Sequence, residues 1–565
     1  MLFTGTLTMA VVYFMLLCDT IIAGRFVGEN GVAAINAVTP VTGIVTFAAS
    51  IISAGTGILY SRAIGAMDKR RADKLFGQGM ILSISVAVIS SVALYLIRNA
   101  YFDLYGLSGQ ILEHAEAYYR WMPVNAALSV MFTYVSEMVY TDGDESVNNA
   151  AYIIQITANV AVSIILVRLI GMAGIIIGTI TGNALGLLTV VVHFFKKSNT
   201  LHFAWHFSIR DILKIIKFSF VDSSVYLCWG LADFILIIHV SSQYGDGGLV
   251  TLALIMNLIE FSVVLDGVGM AVQPLLGTYY GEKNNVMIKR LMREAVKFAL
   301  LEGITANIVV FAFAKYYCRL FNISDASLMG SSIHAVQIVS IGMTFCSLVS
   351  LMTSYYMLVD HVGLSIAITV LKDGVLYTVL PIVASLTWGE TGMWTAFVIS
   401  PIVALVLASA YVLLRYGYRR FPHLLRNSDN RIIILEDELT KENCAILSTK
   451  VSDIIVHHGY PKATANSAAL FTEEIGLTIL EKNGKTKKPL LAEISLFFEK
   501  DSVVLIERDS GEIFDSTDPN LKVEGLSSFV LSGLMGAHKE KQYLTTTGYN
   551  RNLIRFANEQ TEKAE

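Results

Sequence analysis

A row of apolar runs, each about as long as a bilayer is thick, constrains this chain more than any other feature of its sequence. About 20 helical residues span the ~30 Å of hydrocarbon in a membrane. Runs of that order cover residues 2–23, 32–60, 79–97, 122–140, 150–167 and 172–195. A second set covers residues 218–240, 249–277, 298–314, 335–359, 363–386 and 393–414. With 54% hydrophobic and only 16% charged residues, and a mean hydropathy of +0.58, the chain is too apolar for a soluble protein, where about a quarter of residues are charged. The expected fold is therefore an all-α polytopic membrane protein with twelve transmembrane helices in two six-helix parallel repeats, followed by a C-terminal α/β sandwich domain.

Charge in the loops gives the orientation, because Lys and Arg near helix ends are retained in the cytoplasm. Basic clusters follow the second span (Arg62, Lys69, Arg70, Arg71, Lys74) and the sixth (Lys196, Lys197, Arg210, Lys214, Lys217). They recur after the eighth span (Lys283, Lys289, Arg290, Arg293, Lys297) and after the twelfth (Arg415, Arg419, Arg420, Arg426). Both termini are expected in the cytoplasm and the protein in the plasma membrane. The net charge of −4, with its cations dispersed over short loops, argues against a nucleic-acid partner. The five cysteines show no C-x-x-C spacing, so neither a metal site nor a disulfide framework is indicated.

The halves read as copies. Residues 55–75 (GTGILYSRAIGAMDKRRADKL) and 269–291 (GMAVQPLLGTYYGEKNNVMIKRL) align with Gly65 on Gly281 and Asp68 on Asn284, which brings Asp19 near Asp233. An even number of spans per copy makes the repeats parallel, with a cleft between them near the midplane. The expected division is 1–200 and 201–420 for the two bundles, 431–557 for the soluble domain and 558–565 for a polar tail. In the soluble part, residues 431–436, 491–499 and 502–508 read as strands and 441–458 and 463–482 as helices.

The segments CDTIIAGRFVGENGVAAINAVTP, SAGTGILYSRAIGAMD and GMAVQPLLGTYYGEKN resemble the multidrug and toxic compound extrusion (MATE) family of cation-coupled antiporters, over about residues 1–420. Residues 141–159 and 169–188 look like that family's helices 4 to 6. The resemblance implies a coupling-ion role for Asp19, with Asn159 and Asn183 as polar contacts to it. The soluble part resembles the ATP-binding fold of anti-sigma-factor and histidine kinases. That likeness implies nucleotide contacts at Glu474, Asp509 and Gly511, but Thr478 stands where such domains carry a magnesium-binding Asn.

The residues themselves support several candidates. A carboxylate in a bilayer-length apolar segment costs about 2.5 to 3.5 kcal/mol at the helix centre, so Asp19 reads as a group that loads and releases a proton or sodium ion. The alternative is an interfacial Asp that caps its helix or pairs with Arg25. Asp222, Tyr226, Trp229 and Asp233 fall on one stripe of the seventh span, which suits a cavity for an organic cation. The eighth span adds Glu260, Asp266 and Gln273, as cavity wall or as interhelical glue. Lys372 and Asp373 are neighbours about 100° apart, so the two are expected not to face one partner. Pro40, Pro123, Pro274, Pro381 and Pro401 are expected to interrupt spans.

These readings give an antiporter, not an enzyme, that couples H⁺ or Na⁺ to export of small cationic or amphipathic solutes. No cofactor is required, though the kinase-like resemblance at Asp509 and Gly511 implies ATP at the soluble domain, and the partners are the bilayer, the solute and a regulatory protein at that domain. Two alternatives are a flippase for lipid-linked oligosaccharides and a membrane sensor signalling through the kinase-like domain.

Overall fold

The computed structural model describes residues 2–105, 109–320, 326–418, 420–425, 432–484, 489–518, 526–538, 540–545 and 548–557. Arg419, Arg426 and the tail 558–565 lie outside the described residues, as does the start of the first expected strand. The first lobe contains α1 (Leu2–Phe26), α2 (Glu29–Gly65), α3 (Lys69–Tyr105), α4 (Gly109–Tyr119), α5 (Met122–Thr141), α6 (Glu145–Ile170) and α7 (Met172–Val191). The second contains α8 (Ile209–Phe261), α9 (Gly267–Gly281), α10 (Asn285–Leu320), α11 (Ala326–Ser340), α12 (Met343–Leu358), α13 (Val362–Thr369) and α14 (Tyr377–Tyr416). Among the described residues nine helical stretches are long and apolar enough to cross a membrane.

The repeat is visible in the turns. Gly65 to Asp68 and Gly281 to Asn284 close α2 and α9 with matching hydrogen bonds. Asp68 N reaches Ala63 O and Asn284 N reaches Tyr279 O, both at 2.9 Å. Met67 and Lys283 take the same left-handed conformation, φ 58° and 60°. Asp68 and Asn284 then cap the next helices, accepting from Arg71 N at 2.9 Å and Met287 N at 3.2 Å. Both lobes also carry positive-φ glycines at the opposite end. Gly28 and Gly171 break the first lobe's chain where Gly245 and Gly389 break the second's. Only at such residues does the backbone reverse without a Cβ penalty.

Several expectations need adjusting. α4 and the short 3₁₀ turns Val192–Phe195 and Ser262–Asp266 have no counterpart in the sequence reading. Pro123 stands at the first turn of α5 and starts the helix, because there its missing N–H costs nothing. Pro40, Pro274, Pro381 and Pro401 lie inside helices as expected.

At one end the two lobes meet through helices in near-contact. A Cβ on Gly55 would overlap Ile215 O, one on Gly65 would overlap Thr278 O and one on Gly281 would overlap Arg62 O. All three points lie toward the ends of α2 and α9 that carry the basic turns, called the basic end below. Here Arg71 also pairs with Asp211, Nη1 to Oδ2 at 2.8 Å. α1 crosses between the lobes, donating from Thr6 Oγ1 to Glu302 at 2.6 Å and from Tyr13 OH to Asn257 O at 3.1 Å.

Residues 432–557 hold a five-stranded antiparallel sheet in the order β1-β2-β3-β5-β4. Its strands are β1 (Ile432–Glu438), β2 (Leu491–Phe498), β3 (Ser502–Asp509), β4 (Lys541–Tyr543) and β5 (Asn550–Ala557). Three helices, α15 (Lys441–His457), α16 (Lys462–Lys482) and α17 (Leu526–Ala537), share a core with one sheet face through Phe471, Leu496, Leu505 and Ile554. α17, β4 and β5 have no counterpart among the elements expected from the sequence.

Candidate functional site

Asp19 is nearly enclosed in the first lobe, 9% exposed. Its Oδ2 accepts from Tyr118 OH of α4 and from Thr179 Oγ1 of α7, each at 2.9 Å. Oδ1 is buried and has no hydrogen-bond partner among the described residues. Arg25 is exposed and does not supply the charge partner that the alternative reading required. A carboxylate with one satisfied and one open oxygen is suited to take up a proton or a small cation.

The site exists because α6 and α7 approach closely. Gly174, Gly178, Gly182 and Gly186 form a stripe at every fourth residue of α7. Side chains at the first three would collide with α6 backbone or with Ser163. The approach lets Asn159 Nδ2 reach Thr179 Oγ1 at 3.3 Å, while Ser163 Oγ donates to Asn159 Oδ1 at 3.0 Å. Asn159 thus adjoins the Asp19 carboxylate, both through Thr179 and by its own side chain. Asn183 belongs to a separate amide chain: Gln155 Nε2 donates to its Oδ1 at 2.6 Å, and its Nδ2 donates to Asn125 Oδ1 at 2.9 Å.

The second-lobe candidates are arranged differently from the expected stripe. Asp222 and Tyr226 lie on α8, but their side chains are outside the described residues. Trp229 Nε1 donates to Asp373 Oδ1 at 3.1 Å, and Tyr377 OH to Asp233 Oδ1 at 3.4 Å. Asp373 in turn is 3.1 Å from Lys372 Nζ. The expectation concerned a common third partner; the two neighbours instead pair with each other, within a π-helical stretch, Val370–Leu376. Trp229, Ser262, Cys346, Lys372, Asp373 and Tyr377 line one cleft. Asp266 accepts from Ser350 Oγ at 2.5 Å, Gln273 is half-buried, and Glu260 projects from the packing.

In the soluble domain Asp509 Oδ1 accepts from Gly511 N at 2.7 Å and from Asn550 Nδ2 at 3.0 Å. Gly511 is pressed against Ile479 and Asn483 at the end of α16, the helix that also carries Glu474. Glu507, two residues before Asp509 on the same face of β3, accepts from Asn552 Nδ2 at 2.8 Å. Burial, and then the neighbouring Asp509, push the Glu507 carboxyl well above the usual range.

Sequence reasoning missed Tyr118, which lies between the apolar runs, and Thr179, an ordinary residue within one, until the fold brings them to Asp19. It also missed Glu137 and Glu302, although an acid within an apolar run is the signal that singled out Asp19. Glu137 lines a small cleft with Gly5, Tyr140, Asn148 and Met270, at the junction of the lobes.

Residues 6–167 and 219–372, more than half of the chain, match the model of the MatE family. The chain is 20% identical over 403 residues to the multidrug export protein MepA of Staphylococcus saprophyticus, covering 69% of this chain and 87% of that protein. Its fold is similar to a multidrug resistance MATE transporter of the MOP superfamily in the outward-facing conformation, with a TM-score of 0.68 at 20% identity. That match covers 73% of this chain and 94% of the other. It is also similar to the Vibrio cholerae MATE transporter VcmN in the bent form, with a TM-score of 0.65 at 20% identity, covering 72% of this chain and 94% of the other. A helical polytopic body of two lobes in contact, an enclosed carboxylate and this match converge: the chain belongs to the MatE family, whose members are secondary transporters rather than enzymes.

Proposed function

We propose that the protein is a cation-coupled antiporter that exports small cationic or amphipathic organic compounds by alternating access, with H⁺ or Na⁺ as the coupling ion. The observation that carries this reading is Asp19, held by two hydroxyl donors on Oδ2 with Oδ1 open. Adding α1 and α5 to the nine apolar stretches, and dividing Val362–Tyr416 at Gly389, supports twelve spans. The basic loops support a cytoplasmic assignment for the end where the lobes meet and for both termini. The relative named as a multidrug exporter supports the direction of transport and the breadth of the cargo.

Cargo is assigned to the second lobe, where Trp229, Asp233, Glu260, Asp266 and Gln273 are joined by Asp222 and Tyr226 on the sequence evidence. Acids and an aromatic ring suit an organic cation through charge and cation–π attraction. They suit an anionic lipid-linked glycan less well, so the flippase reading carries less weight.

Residues 431–557 are read as a degenerate nucleotide-binding fold that regulates transport. Thr478 replaces the metal-ligating amide, and Asp509 Oδ1 is already engaged by Gly511 and Asn550. Magnesium-dependent kinase activity of the full chain would contradict this part.

The test of the whole reading is transport by purified protein in liposomes. A fluorescent lipophilic cation is expected to move against its gradient when a proton or a sodium gradient is imposed. Failure of both gradients to drive any organic cation would overturn it.

A further inference from the structure

The sheet of the soluble domain uses both faces. Alternate strand residues point to opposite sides. Leu496, Leu505, Ile554 and Phe556 enter the core beneath α15 and α16, and their neighbours point the other way, onto the basic end of the membrane lobes. On that second face Arg508 and Arg551 stand directly opposite each other on β3 and β5. Like charges in cross-strand positions destabilise an isolated sheet, so this pair needs an anion from elsewhere.

The anion is Glu282, at the end of α9 in the second lobe. Arg508 Nη2 lies 2.5 Å and Arg551 Nε 3.0 Å from its Oε1, and the Arg551 and Glu282 side chains are each 1% exposed. Glu493 takes the other arm of Arg508 at 2.9 Å. The two remaining Arg551 nitrogens donate to Ile64 O at 2.9 Å and Gly65 O at 2.7 Å, the last carbonyls of α2 in the first lobe. A cation there also complements the negative end of the α2 dipole. One guanidinium therefore bonds both lobes across their seam. Arg290 pairs with Glu436 on the second-lobe side, and Thr545 Oγ1 reaches Ser198 O at 3.4 Å on the first-lobe side.

We infer that the C-terminal domain is a clamp: its sheet holds the two lobes together at the basic end, and opening of that end requires Arg508 and Arg551 to leave Glu282 and the α2 carbonyls. The clamp rests on the alternating-access reading given above, and adds a built-in brake on it.

The test places a reporter inside the seam. Ser61 is buried there against Gly277, and a full-length chain with Ser61→Cys is labelled with a membrane-impermeant maleimide, the rate taken over that of the chain without the added cysteine. Combining the reporter with Arg508→Ala and Arg551→Ala is expected to raise the labelling rate by about tenfold, within the range of ordinary coupling between sites. Glu282→Gln keeps the shape of its side chain and removes the charge, and is expected to act in the same direction. If the double arginine variant does not fold, Glu282→Gln alone decides. An unchanged rate in a folded variant overturns the clamp. Labelling needs neither cargo nor an ion gradient, so a failure of the transport reading leaves this result interpretable.

Discussion

Arg62 reaches out of the first lobe and donates to the carbonyl oxygen of Leu358, at 2.5 Å, where α12 ends in the second. A second bond from the same Nη2 goes to Met357 O at 3.3 Å, and the guanidinium lies 4.5 Å from the Phe218 ring and 4.7 Å from the Tyr280 ring. Like Arg551, it supplies a cation to the open carbonyls of a helix end at the seam between lobes.

Arg62→Ala is accordingly expected to weaken the sealed state. Hydrogen bonds from a charged donor contribute about 1.5 to 3 kcal/mol, which corresponds to a shift of roughly tenfold to a hundredfold toward the conformation open at the basic end. Pulsed electron-spin distances between labels at Lys74 and Lys214, both exposed and on different lobes, check this. A longer-distance population is expected to grow in the variant.

The close backbone approach at the seam makes small residues obligatory. Gly65→Ala and Gly281→Ala each put a methyl group where the opposite helix has its backbone. Overpacking of this kind costs about 1 to 3 kcal/mol. A lower thermal midpoint of the purified full-length chain is expected for both, while alanine at Gly330, which has open space around it, is expected to leave the midpoint unchanged.

The donors to Asp19 are expected to matter in proportion to the charge they serve. Thr179→Val and Tyr118→Phe each remove one 2.9 Å bond to Oδ2 while keeping the bulk of the side chain. A loss of about tenfold in gradient-driven transport is expected for each, from bonds contributing about 1.5 kcal/mol or more to the charged form. Asn183→Leu is expected to act chiefly on stability, because its bonds go to Gln155 and Asn125.

The soluble domain carries its own pH dependence. Glu507 is 1% exposed, and its carboxyl is raised in the folded state, first by burial and then by Asp509. A carboxyl raised above its unfolded value keeps its proton when folded, so stability falls as pH rises above about 4.3, by up to about 1.4 kcal/mol per pH unit. Hydrogen-exchange protection of β3 and β5 in the full chain is expected to decline with pH through that window. Glu507→Gln is expected to flatten the decline.

Much of this architecture was legible in the residues, for identifiable reasons. Span positions follow from apolar length, and the repeat from Gly65 and Gly281, because each lies against backbone of the other lobe and leaves no room for a side chain. Asp19 stands out in the sequence because an acid in an apolar run is costly, and the alternative of an Asp paired with Arg25 falls away only once the fold leaves Arg25 exposed. Thr179 and Tyr118 were not, since a hydroxyl in a membrane helix usually bonds its own backbone and only the α6–α7 glycine stripe turns this one toward Asp19. The Lys372–Asp373 pair was hidden because a long Lys side chain folding back onto its own neighbour leaves no periodic signal. The docking of the sheet on the lobes was equally invisible, because Arg508, Arg551 and Glu282 are ordinary surface residues until the two parts meet.

The most direct test of the account is the ion-driven flux of Asp19→Asn in liposomes, beside the unsubstituted chain. The amide keeps the size of the carboxyl and cannot exchange a proton or neutralise a sodium ion. Uptake driven by the imposed gradient is expected to vanish while the thermal midpoint and cargo binding persist. Full gradient-driven transport by Asp19→Asn would contradict the assignment of this carboxylate as the coupling site.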